Sequence, residues 1–246
     1  MTRSLIDRPA ILQALRTCRD EFAQGVASIA YERKGVLYSE MLFLKACASL
    51  LPVRRVLESG RARGQSTLIL ARMFPALPLI SVEYDRNSPD VPVAAERLAP
   101  YPHVSLTFGD ATRLLPEQVA AGDIVMIDGP KGHRGVRLAL QLLATGKPAL
   151  VFVHDTTKGS PERRLLERLL PETFYSDDAD FAALTHDLDA QAGDDIPAAN
   201  RYGPESTRNG YGFSLACIPH NPERNYGWLH LLSIVDGLFY RLFRRG

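Results

Sequence analysis

With 246 residues, 46% of them hydrophobic, the chain is long enough to bury a sizeable core without disulfides or a metal staple. A formal net charge of +1 supplies no field to gather nucleic acid, and no dense basic run is interleaved with aromatics, so no nucleic-acid partner is expected. Cys18, Cys47 and Cys217 lie far apart with no C-x-x-C, which argues against a zinc site or disulfide framework and for buried thiols in a reducing compartment. The first thirty residues lack a signal-peptide core and no run approaches the ~18 apolar residues of a membrane span, so a cytoplasmic protein is expected.

In chain order, apolar spacing over 6–30 predicts one or two helices packed over a sheet, and 39–51 a further helix with Ser39 as cap. Residues 53–58 read as a first strand that meets Gly60 and Gly64 before a helical pattern over 66–74. Lacking a Cβ, these glycines let the loop take positive φ and bring its backbone close to a ligand, which the amides of the helix start then face. A second strand, 79–85, ends in acidic residues of the kind that accept from ribose hydroxyls in nucleotide-binding α/β folds. A third, 104–108, ends at Gly109-Asp110-Ala111, and a fourth, 123–127, ends at Asp128-Gly129-Pro130-Lys131-Gly132. The fifth, 149–153, ends at His154-Asp155-Thr156. Helices are predicted between and after these strands over 89–98, 113–120, 134–145 and 161–170, the last with Pro161 at its first turn. Five successive strands stopping at polar, acidic or Gly-containing loops form the pattern of a ligand lying across the carboxyl edge of a parallel sheet.

Further on, 181–184 and 211–218 read as the last two strands, with the polar stretch 187–210 between them. A loop this long, carrying Arg201, Tyr202 and Arg208 with Tyr211 just beyond it, is read as substrate cover. At the carboxyl end Trp228, Leu231, Leu232, Val235, Leu238, Phe239 and Leu242 recur at helical spacing ahead of Arg244 and Arg245. This amphipathic helix suits docking on the core, dimerisation through 225–245, or peripheral attachment to the inner membrane surface. The chain is thus divided into an N-terminal helical region (1–52), a Rossmann-like domain (53–220) and a C-terminal helix (221–246).

The loop Glu58-Ser59-Gly60-Arg61-Ala62-Arg63-Gly64-Gln65-Ser66, with the order and spacing of the later loops, resembles class I S-adenosylmethionine-dependent methyltransferases over roughly 37–170. The E-x-G-x-x-x-G-x-S form is similar to that of catechol-type O-methyltransferases, while D-G-P-K-G and V-F-V-H-D also resemble plant xylan glucuronic acid methyltransferases. The resemblance implies an α/β sheet of seven mostly parallel strands with helices on both faces, the last two strands forming an antiparallel edge. It further implies that Glu58, Gly60 and Gly64 line the methionine part of S-adenosylmethionine. Ser66 would contact the loop, Glu83 the ribose, Asp110 and Ala111 the adenine, and Asp128 the cofactor from its far side. In catechol-type enzymes a metal is held by an Asp after the fourth strand and an Asp-Asn pair after the fifth. Asp128 and Asp155 match, and Thr156 stands where the Asn would, so Mg²⁺ has a weaker oxygen set than the full one.

Methyl transfer requires an acceptor held in line, a place for its proton, and exclusion of water. Asp128, Lys131, His154 and Asp155 are the candidate catalytic residues, with His133 a further candidate base. Lys131 could alternatively bind an anionic acceptor group alongside Arg61 and Arg63. The expected function is O-methylation of a small molecule or sugar. An NAD-dependent oxidoreductase is the alternative, disfavoured because its loop is G-x-G-x-x-G, and a non-catalytic, membrane-associated binding protein is the third reading.

Overall fold

A computed structural model describes residues 6–32, 35–189 and 214–243. The elements run α1 (Arg8–Val26), α2 (Tyr38–Ser49), β1 (Arg55–Ser59), α3 (Gln65–Met73), β2 (Leu79–Glu83), α4 (Asp90–Leu98), β3 (Val104–Phe108) and α5 (Ala111–Gln118). They continue with β4 (Asp123–Ile127), α6 (His133–Ala144), β5 (Leu150–Val153), α7 (Pro161–Leu169), β6 (Phe174–Tyr175), α8 (Ala179–Thr185), β7 (Ala216–Pro219) and α9 (Tyr226–Phe243). The strands form one sheet in the order β3-β2-β1-β4-β5-β7-β6, with β1 to β5 parallel and β7 antiparallel to both its neighbours.

Strand side chains alternate between two cores. Val56, Ile124, Phe152 and Cys217 join a cluster with α1 to α4 and α8, whereas Leu57, Val125, Val151 and Ile218 join one with α5, α6, α7 and α9. Helices therefore cover both faces, and the central strands read as near-continuous apolar runs because neither face meets water. From β1 the chain runs outward through β2 to β3, then returns to place β4 on the other side of β1. That reversal opens a crevice at the carboxyl ends of β1 and β4, where a doubly wound sheet takes its ligand.

Two expectations are corrected. Residues 181–184 are not a strand but lie in α8, where Phe181 is fully buried and its ring sits 5.4 Å from that of Phe43 on α2. Ala182, Ala183 and Leu184 favour helix, and the edge position is taken instead by β6. Ser39 is not the cap of α2. Leu37 holds the N-cap position, with its N–H donating to Glu40 (2.8 Å), and Asp189 accepts from the Ser39 N–H (3.1 Å). The proposed cover segment 187–210 lies outside the described residues from 190 onward, with Arg201, Tyr202, Arg208 and, beyond it, Tyr211. Its first residues, 187–189, continue a helical turn after α8.

Helix α9 packs on α6, with Tyr226 buried and Leu229 and Leu232 against the second core. Trp228, Leu231 and Val235 are exposed. Among the described residues no helix is long and apolar enough to cross a membrane. The three cysteines are free and buried.

Candidate active site

The site is built where the loop after β1 touches the loop after β4. Gly60 has φ +89°, and a Cβ there would lie 2.7 Å from the Gly129 nitrogen and 2.8 Å from the Asp128 carbonyl carbon, so only glycine permits this approach. Gly64, at φ +79°, caps α3. Beneath the loop Glu58 is fully buried and accepts hydroxyl hydrogen bonds from Ser66, Thr67 and Ser81. Burial pushes the Glu58 carboxyl up, against the downward pull of the three hydroxyls. Glu58 thus ties the loop to β2 and α3 from below.

Two cavities meet at Gly60. One, of about 200 Å³, is lined by Gly60, Glu83, Gly109, Asp110, Ala111 and Arg134, among others. Glu83 accepts from the Ala62 and Tyr84 N–H groups (both 2.8 Å), and its oxygens keep lone pairs for further donors. Asp110 caps α5 through the Thr112 hydroxyl and N–H, which hold its carboxyl below the usual range. The other cavity, of about 430 Å³, runs past Gly60, Gln65 and Ser66 to Asp128, with Glu32, Arg63 and Asp90 also in its wall. Gln65, also in that wall, is buried.

A charged network stands at the Asp128 end. His154 Nε2 lies 3.2 Å from Glu40 Oε2, and its Nδ1 donates to Asp128, with Asp155 3.4 Å away. Both ring nitrogens face carboxylate oxygens, so both carry protons. Burial alone would lower the His154 pKa, but Glu40, Asp128 and Asp155 raise it well above the ordinary histidine value. Lys131 pairs with Asp128 and with Asp155 (2.7 Å), and these charges outweigh its partial desolvation to raise its pKa. Burial of Asp128 is in turn outweighed by His154 and Lys131, which hold it down to about 2. Counted formally, three carboxylates face two cations.

Several sequence-based assignments change. Thr156 is fully buried and its hydroxyl donates to the Ser214 carbonyl (3.0 Å). The residues that do come together are Asp128, His154 and Asp155, each with a ligand atom within 4.8 Å of the others. Two of the three are carboxylates already joined through Lys131, so a divalent ion would have to displace that ammonium. Arg61, in the wall of the larger cavity, is 2% exposed, donates to the Ser81 carbonyl (2.7 Å) and lies over the Phe108 ring. Arg63 pairs with Glu32 and Asp90. His133 faces Asp236 on α9 (3.5 Å) and Glu162 on α7 (3.9 Å), not the network. The unforeseen member is Glu40, 1% exposed, whose only trace in the sequence is a carboxylate within an apolar helical run.

No protein-family model and no curated protein sequence matches the chain. Among solved structures, it is similar to the O-methyltransferase TomG from Streptomyces achromogenes, crystallised with S-adenosylmethionine. The two are 21% identical, with 89% of this chain and 93% of that one covered and a TM-score of 0.49. It is also similar to cofactor-bound Rv0187 from MTB, at 26% identity, 87% and 92% coverage and a TM-score of 0.46. A third similar structure is precorrin-6y C5,15-methyltransferase from Geobacter metallireducens, at 15% identity, 52% and 68% coverage and a TM-score of 0.40.

Proposed function

We propose that the protein is an S-adenosylmethionine-dependent methyltransferase acting on a hydroxyl of a small molecule or sugar. The observation that carries this reading is the pair of cavities meeting at Gly60, which divides the crevice into an adenosine end and a reacting end. Glu83 presents carboxylate oxygens to the ribose hydroxyls, and Asp110 with Ala111 forms the far wall for the adenine. At the reacting end Gly60, Gln65 and Asp128 line the larger cavity, where the amino-acid moiety would lie. When bound, S-adenosylmethionine supplies a methyl carbon already activated by its sulfonium.

The residues supply positioning and charge. The formal excess of one negative charge over Glu40, Asp128, Asp155, Lys131 and His154 complements a sulfonium and opposes a pyrophosphate, which disfavours a dinucleotide. His154 is held as a doubly protonated clamp on Asp128 and Glu40, so in the resting site it orients rather than accepts a proton. A cavity of about 430 Å³ is of small-molecule size. Calorimetric titration with S-adenosylmethionine, S-adenosylhomocysteine and NAD tests the reading. Binding of the first two alone supports it, binding of NAD alone sinks it, and binding of none points to a non-catalytic protein.

A further inference from the structure

We infer that the Lys131 ammonium is the resident cation of this site, occupying the position a divalent ion would need, so that the chain requires no divalent metal. Asp128, His154 and Asp155 are the group among the described residues whose ligand atoms converge within 4.8 Å, from the loops that follow β4 and β5. Convergence of this kind would ordinarily invite a cation, since two carboxylates that close repel each other. Here Lys131 Nζ pairs with Asp128 Oδ1, sits 2.7 Å from Asp155 Oδ2 and 3.4 Å from His154 Nδ1. It therefore pairs with both carboxylates and lies beside the imidazole.

Chain geometry sustains the substitution. Lys131 and Asp128 are three residues apart in one turn, so the ammonium is delivered by the same loop that supplies the first carboxylate. Asp155, at φ +60°, belongs to the turn that presents the second. With the Thr156 hydroxyl turned to Ser214, an incoming divalent ion would complete its oxygen shell from water once the two carboxylates were free of Lys131. A tethered monocation needs no such shell. On the methyltransferase reading, about half of the Lys131 side chain remains exposed, leaving the ammonium able to donate to an acceptor oxygen as its charge develops.

The test is titration of Mn²⁺ into the full chain, followed by calorimetry and thermal unfolding, for wild type, Asp155→Asn, Lys131→Met and Lys131→Met/Asp155→Asn. Wild type is expected to show no binding at submillimolar Mn²⁺ and an S-adenosylmethionine affinity unchanged by chelator. Lys131→Met is expected to gain a Mn²⁺ site and an ion-dependent rise in Tm, both lost in the double variant. Submillimolar Mn²⁺ binding to wild type that Asp155→Asn removes would overturn the inference, and that arm decides the matter even where Lys131→Met does not fold. A folded Lys131→Met that binds no Mn²⁺ would also overturn it. Because the ion readout needs no cofactor, failure of S-adenosylmethionine to bind would count against the methyltransferase reading alone.

Discussion

Gly60 and Asp189 show how single positions set the energetics of this site. At Gly60 any side chain meets backbone that cannot rotate away, and the positive φ adds strain of about 1–3 kcal/mol. Gly60→Ala is expected to weaken S-adenosylmethionine binding at least about tenfold, or ~1.4 kcal/mol, as read by calorimetry. Asp189 is buried against α2, where desolvation pushes its pKa up to about 7. Hydrogen bonds from Ser39 oppose that rise and the Glu40 charge adds to it. A carboxyl that keeps its proton longer when folded stabilises the fold at low pH and loses that contribution as pH rises through the window from about 4 to 7. Asp189→Asn keeps an acceptor for the Ser39 N–H without the charge. Its Tm should exceed wild type at pH 8, by the equivalent of up to a few kcal/mol, and the gap should close toward pH 4. A gap independent of pH would show that the carboxylate is not the cause.

Elements carry the second set of consequences. The β1–α3 loop is held from below by one carboxylate serving three hydroxyls, so Glu58→Ala strands Ser66, Thr67 and Ser81 together. A loss of about 2–4 kcal/mol in denaturant unfolding is expected, with cofactor affinity falling because the loop is no longer pinned. Helix α9 has two unequal faces. Tyr226→Ala, at a buried residue whose hydroxyl accepts from the Asn221 N–H, should cost roughly 3 kcal/mol, whereas Leu231→Ser on the exposed face should change stability by less than about 0.5 kcal/mol. Equal effects from the two would mean that α9 does not pack as described. Helix α8 shows where local reading fails. Phe181 and its alanine neighbours fit a short strand or a helix equally by pattern, and contact with Phe43 and Arg8 selects the helix.

At the scale of the whole molecule, α1, α2 and α9 belong to the two cores that sandwich the sheet, so removal of 225–246 is expected to lower Tm sharply and not merely to shorten the chain. A truncated chain with wild-type Tm and cofactor affinity would make α9 an accessory. The alternation of strand and helix, and the polar or acidic residues that close β1 to β5, were legible from the sequence because burial on both faces forces apolar runs and ligand loops interrupt them. By the same logic the pattern assigns the loops bearing Asp128 and Asp155 to one sheet edge. What the sequence could not express is which way those side chains turn. Glu40 reaches His154 across 114 residues, Thr156 turns inward to Ser214, Arg61 folds under its loop, and Lys131 bridges two carboxylates from different strands. Such choices depend on which lone pairs and donors are left unpaired once the sheet has closed. Sequence alone therefore determined the scaffold and the edge that carries the site, and tertiary packing decided which charges meet there.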